Sequence, residues 1–277
     1  MYYQRIQPYI AFIRKYFPQH PNLQDMGLFA DENPDTIRAD FRSWCRRDIK
    51  EFIQHLTFIL ARVHRRTPSD TYSFPDYQPA IFLHSTPVIT HLHILWTDTV
   101  FGRMLLAATD HGLAAVLFDN EDDTPITTPE KHAQHLLKTR FPKAKCSMIL
   151  NQHISDALAF FSGDATVNLH LHVNTTAFRL QVYEALIKIP PAQLRTYTET
   201  ARFIGRPRAV RAVGNAVASN PISLIIPCHR IVPASGGFGN YFWGSERKMA
   251  LLGWEAIAEN RYIATAIQET TTKNTPL

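Results

Sequence analysis

A chain of 277 residues with 45% hydrophobic and 11% aromatic side chains can bury the cores of two domains, which excludes a disordered or collagen-like chain. Its net charge of +5 is uneven: residues 1–70 balance to +3 (11 basic, 8 acidic), 71–170 to −4 (6 basic, 10 acidic) and 195–250 to +6 (8 basic, 2 acidic), so a polyanion is expected on the last segment. No uncharged apolar run reaches the ~18 residues of a membrane span, and the first residues do not follow a secretory pattern. Three widely spaced cysteines, Cys45, Cys146 and Cys228, argue against a disulfide framework or a CxxC metal site. A cytoplasmic, monomeric protein is the expectation.

In chain order, Ile6, Tyr9, Ile10, Ile13 and Phe17 recur at helical spacing. A short helix is expected over 22–30. Asn33-Pro34, a cap followed by a proline at the first helical position, opens another over 35–44, and a longer one is expected over 49–62. Two short helices joined by a tight turn, with Arg38 and Arg42 on the second, suggest a helix–turn–helix. Residues 67–82 read as a Pro/Ser/Asp-rich linker, then 91–96, 103–109 and 113–118 as hairpin strands, 130–139 and 152–162 as helices and 166–173 as a last strand. From Thr176 the pattern is helical again, with 197–204 and 207–218 a second helix–turn–helix broken at Gly205. The expected division is therefore 1–66, linker 67–82, an α/β domain 83–174, a domain 175–260 and a polar tail 261–277.

The chemistry concentrates in Asn220-Pro-Ile-Ser-Leu-Ile-Ile-Pro-Cys-His-Arg230. The run Leu224-Ile225-Ile226 reads as a strand delivering Pro227-Cys228-His229-Arg230 at its end, where reactive groups are held rigidly. A free thiol ionises near pH 8.5, so a neighbouring histidine, arginine or helix N-terminus is what would favour the thiolate. A Cys-His-Arg run taken alone is also compatible with a plain structural role.

This segment resembles the O6-alkylguanine-DNA alkyltransferases, whose signature is a Pro-Cys-His-Arg core followed by a Val/Ile pair. The likeness runs from about Thr176 to Glu255 and includes Tyr241-x-Trp243-Gly244-x-x-Arg247-Lys248, nearest the adaptive-response branch of that family. The resemblance implies a DNA repair protein moving a methyl or larger alkyl group from O6 of guanine, and from O4 of thymine, to Cys228, once and without a cofactor or metal. In that reading His229 is the base, through a bound water, Glu255 orients it, and Tyr197 hydrogen-bonds the substrate base. Asn220 ties the helix–turn–helix to the cysteine segment, and Arg211 fills the gap left by a nucleotide turned out of the duplex. Ser235, Gly236, Gly239 and Tyr241 belong to a loop over the flipped guanine, Val217 and Ser223 flank its pocket, and Arg230 and Ala212 are counted among the DNA- and substrate-contacting residues. The small side chains at Ala209, Ala212, Gly214, Ala216 and Ala218 permit close approach of that helix to DNA. The fold implied is α/β plus α: a helical N-terminal segment, a small RNase H-like α/β domain without catalytic residues, and a C-terminal winged-helix-like all-α domain. Double-stranded DNA carrying O6-alkylguanine is the implied partner.

Residues 5–62 are similar, more faintly, to the first helix–turn–helix of AraC-type regulators. Arg46 and Ile49 replace the usual Gly and Pro after its second helix, and neither a second helix–turn–helix nor a four-cysteine zinc domain is present. The competing reading is a damage sensor or transcriptional regulator that binds alkylated DNA without transfer; retention of Cys228, His229 and Glu255 speaks against it.

Overall fold

The computed structural model describes residues 2–17, 19, 21–64, 80–85, 88–119, 129–162, 164 and 166–257. Ten α-helices are present among them. The first four are α1 (Tyr2–Tyr16), α2 (Leu23–Ala30), α3 (Pro34–Cys45) and α4 (Ile49–His64). The predicted cap at Asn33 forms, its Oδ1 accepting from the Asp35 amide at 2.8 Å, and Asn22, read from sequence as the first residue of its helix, caps α2 instead by accepting from the Asp25 amide at 2.8 Å. Arg46 follows α3 at φ 58°, the left-handed position where a glycine is usual, and its amide closes the helix on Arg42 O.

A six-stranded sheet follows, built from β1 (Ile81–Ser85), β2 (His91–Thr99), β3 (Gly102–Thr109), β4 (Gly112–Phe118), β5 (Lys145–Ser147) and β6 (Leu169–Val173) in the order β1-β6-β4-β3-β2-β5. The antiparallel meander β2–β3–β4 is the hairpin pattern read from sequence. Helices α5 (Pro129–Arg140) and α6 (Gln152–Ser162) pack on its central strands. Strands β1 and β5 were not expected, and β1 starts inside the segment assigned to the linker. Residues 67–79 of that linker and the tail at 261–277 lie outside the described residues.

The C-terminal part holds α7 (Ala177–Ile187), β7 (Arg195–Thr196), α8 (Tyr197–Phe203), α9 (Val210–Ala218), a 3-10 turn at Cys228–Arg230, β8 (Ile231–Val232) and α10 (Ser245–Ile257). It is therefore not all-α, because β7 and β8 form a parallel pair. Nor is Leu224–Ile226 a strand. It is a buried turn closed by the Ile226 amide on Ile222 O at 3.0 Å, with Leu224 at φ 70°, a conformation that costs a leucine about 1–3 kcal/mol. Ile222 pairs with Val116 of β4 and so fixes this turn to the sheet.

A single hydrophobic cluster runs from Tyr3 to Ile257. The N-terminal helices are part of it rather than a separate unit. Trp44 stacks edge-on against Phe101 and Trp254, and its indole N–H donates to Val100 O at 2.9 Å. The Phe52 ring lies so close to α10 that a Cβ on Gly253 would stand 2.1 Å from it. Among the described residues, no helix is long and apolar enough to cross a membrane.

Candidate active site

Two short strands bring the reactive segments together. Arg195 pairs with Ile231 and Thr196 with Val232. Helix α8 opens at Tyr197 directly out of β7, while Cys228–Arg230 lead directly into β8. Thr196 caps α8 reciprocally with Glu199: its hydroxyl accepts from the Glu199 amide at 3.1 Å, and the carboxylate accepts from the Thr196 amide at 2.6 Å. The phenol of Tyr197 is thereby held beside the cysteine turn.

From the other side, α9 ends at Ala218 and delivers Asn220. The buried Asn220 amide nitrogen donates to Ile226 O at 2.8 Å and to Cys228 Sγ at 3.0 Å, and its oxygen accepts from the Ile222 amide at 3.0 Å. One side chain thus ties the helix end, the strained turn and the thiol together.

Cys228 is buried. Burial pushes its thiol up, against the opposing pull of the Asn220 hydrogen bond and the Lys248 charge, so the resting group is the neutral thiol. Lys248, also buried, donates to Ile231 O at 2.6 Å, and burial lowers it to about 8. Next to the thiol, His229 is fully buried and shares Nε2 with Glu255 Oε1 at 2.8 Å. Burial outweighs Glu255 and holds this imidazole below its ordinary range, hence neutral; its Nδ1 is buried without a protein partner among the described residues. Burial alone would raise Glu255, but Arg230 and His229 hold it down at about 2. The carboxylate therefore stays ionised and can stabilise an imidazolium.

The sequence reading placed Arg230 against substrate or DNA and as a charge favouring the thiolate. The structure turns it inward: Nη2 donates to Glu255 Oε1 at 2.7 Å, Nε to both carboxylate oxygens at 3.1 Å, and Nη1 to Ile189 O. With Glu255 available on α10, the guanidinium is satisfied there, and the cations coupled to the thiol include Lys248 and Arg140.

A pocket of about 270 Å³ opens onto Cys228, lined by Tyr197, Gly214, Val217, Asn220, Ser223, Tyr241 and the aromatic rings of Phe242 and Trp243, among others. The Tyr241 ring meets His229 edge-on at 6.5 Å, and its hydroxyl is buried near Cys228 and Ser223. Burial raises both Tyr197 and Tyr241, so each phenol keeps its proton. Of the other loop residues, Ser235 is exposed and, like Gly236, does not line the pocket. Gly239, at φ +69°, lies against Pro233, whose Cδ a Cβ would approach to 2.8 Å. Arg211 and Ala212 are exposed on α9, while Val213, Ala216 and Val217 face the core.

Two residues near the site had no role legible in the sequence. Lys248 sits inside a quoted motif, but its role shows only once α10 is folded against β8. Arg140, from the α/β domain, reaches across to donate to Ser219 O at 3.2 Å, with its guanidinium 5.7 Å from the Phe242 ring. Among the described residues, no group of three or more His, Cys, Asp or Glu side chains is arranged to hold a metal.

A profile of the family described as "6-O-methylguanine DNA methyltransferase, DNA binding domain" matches residues 177–257. The chain is 37% identical over 168 residues to the Escherichia coli bifunctional transcriptional activator/DNA repair enzyme Ada, a match covering 59% of this chain and 45% of that protein. The chain thus spans less than half the length of that relative. It is 34% identical over 169 residues to the Haemophilus influenzae methylated-DNA–protein-cysteine methyltransferase, covering 61% of this chain and 89% of the relative. A crystal structure of Mycobacterium tuberculosis OGT in complex with DNA aligns at 32% identity over 60% of this chain and 92% of that one, with a TM-score of 0.45. On its identity and coverage with the Haemophilus protein, the chain belongs to the methylated-DNA–protein-cysteine methyltransferase family.

Proposed function

We propose that this chain repairs alkylated DNA by moving an alkyl group from O6 of guanine, or O4 of thymine, onto Cys228, once per molecule. The observation that carries this reading is a buried thiol, held by Asn220 and flanked by a His229–Glu255 pair, at the base of a pocket beside the exposed face of α9.

The resting thiol is neutral, so its proton must leave as the bond forms. His229 Nδ1, the free nitrogen of a ring whose Nε2 faces an ionised carboxylate, accepts it directly or through a water. The thiolate sulfur attacks the saturated alkyl carbon; the S–C bond forms, the C–O6 bond breaks, and its electron pair stays on guanine. The Tyr197 hydroxyl, kept protonated by burial, donates to the departing base. The thioether is stable and no second nucleophile removes it, which makes the transfer stoichiometric. It needs neither metal nor cofactor.

The target base cannot meet a buried thiol from within a stacked duplex, so the nucleotide is turned out. Helix α9 suits the groove that this requires: its exposed residues include Arg211, Ala212, Asn215 and Ala218, and its first turn has no side-chain cap. Exposed Arg206 and Arg208 precede it and meet phosphates. Damaged double-stranded DNA is the partner, and a cytoplasmic monomer is the form expected to act. The α/β domain reads as RNase H-like and residues 175–257 as winged-helix-like.

The test is a duplex carrying radiolabelled O6-methylguanine. One label per chain on the wild type and none on Cys228→Ala is the expected result. Tight duplex binding without label on the wild type would move the reading to a damage sensor.

A further inference from the structure

The loop over the pocket has little of its own to hold it. Between 233 and 241, Phe238 is the one buried residue, and Gly236, Gly237 and Gly239 all adopt positive φ. This loop leads into Asn240, Tyr241 and Phe242, which line the pocket above Cys228. Phe238 is met by Phe17, just past the end of α1, with ring centroids 5.3 Å apart. Besides the Trp44–Trp254 contact, the same N-terminal helices grip α10 at three further places. Arg14 pairs with Glu246 at 2.7 Å, Tyr3 lies 4.7 Å from the Arg247 guanidinium, and Phe52 seats against Gly253, two residues before Glu255. Every one of these contacts lies on an element that carries part of the transfer site.

We propose that Phe17 is a positioning residue for alkyl transfer: by seating Phe238 it fixes the glycine-rich loop, and with it Tyr241, over Cys228. The N-terminal helices thus serve the C-terminal chemistry rather than a separate DNA site. This rests on the transfer reading above.

The experiment uses the full chain and the O6-methylguanine duplex in single-turnover form, reading duplex Kd, transfer rate and final labelled fraction separately. Phe17→Ala lowers the transfer rate about two- to tenfold, the equivalent of an aromatic pair's ~0.5–1.5 kcal/mol. Its Kd and final labelled fraction stay at the wild-type values, and Phe17→Leu recovers most of the rate. In a Phe238→Ala background, Phe17→Ala adds no further loss, because the two act through one contact. The proposal is overturned by an unchanged rate in Phe17→Ala, by a loss confined to the labelled fraction (a folding defect) or to Kd (a DNA-contacting role), or by additive losses in the double variant. Absence of label on the wild type would instead sink the transfer reading itself.

Discussion

In α3 the arginines are answered by acids, and in α9 they are not. Arg38 pairs with Asp35 at 2.9 Å and Arg42 with Asp48 at 3.4 Å, while Ile37, Phe41, Trp44 and Cys45 of α3 are buried. That helix is capped by Asn33 and stiffened by Pro34. In α9 the cap residue is Ala209, which makes no side-chain bond, Arg211 has no ion pair among the described residues, and the exposed side chains beside it are small. Both helices follow a helix–turn, but they solve different problems. A capped helix with a wide aromatic face and neutralised charges is built to pack. A short uncapped helix with small exposed side chains and an unanswered arginine has the form that the proposed duplex contact requires. Helix α10 lies between the two arrangements: Lys248 bonds Ile231 O and Glu255 pairs with His229 next to the thiol, while Gly253 takes the Phe52 ring of α4.

Breaking the catalytic side of α10 should cost most. Glu255→Ala leaves the Arg230 guanidinium buried without its partner, a loss of about 3–5 kcal/mol in unfolding free energy by urea titration. Glu255 also sets an acid limit. Its folded value is depressed to about 2 from an ordinary 4.5, so the stabilisation it gives is complete above the ordinary value and is lost as pH falls toward 2. Glu255→Gln should flatten that slope; an identical slope in wild type and variant would show that the ion pair is not what the acid disrupts.

Lys248 works in the opposite direction. Burial lowers it to about 8 from 10.5, so the folded state sheds its proton first and stability rises with pH across that window. The buried thiol of Cys228, raised by burial, imposes a falling slope in the same range, so the test belongs in a Cys228→Ala background. There, Lys248→Met should abolish a rise on the order of 2–3 kcal/mol between pH 8 and 10.5. A slope that survives the substitution assigns the titration elsewhere.

The other side of α10 is cheaper to disturb. Gly253→Ala puts a Cβ into the Phe52 ring, an overpacking of about 1–3 kcal/mol. With Phe52→Ala already present the added methyl should cost almost nothing, and equal costs in both backgrounds would mean that the N-terminal helices do not dock there.

How far the sequence carried this picture follows from how local each signal is. The cap at Asn33, the meander β2–β3–β4 and the break at Gly205 are written in neighbouring residues, and all form. Strand β1 has no such signature: Ile81–Ser85 lacks alternation and finds its partner only at Leu169–Val173. Leu224–Ile226 shows the limit of periodicity, since a buried turn and a buried strand present the same apolar run. For Arg230, sequence adjacency to the nucleophile said nothing of direction, which Glu255 decides from 25 residues away. The apolar stripe of α1 announced a buried face without saying that α10 would cover part of it.

The smallest expected effect bears most directly on the two helix–turn pairs. Arg38→Ala and Arg42→Ala remove exposed ion pairs worth at most ~1 kcal/mol each, and because those charges are already answered, duplex affinity and its salt dependence should not change. Arg211→Ala removes an unanswered charge and should lower the slope of log affinity against log salt by about one. It should also slow transfer from duplex while leaving transfer from the free alkylated base untouched, since only the duplex must be opened. If instead the α3 variants lowered the salt slope as much as Arg211→Ala, the N-terminal pair would be a second DNA-binding surface and the contrast between a packing helix and a groove helix would fail.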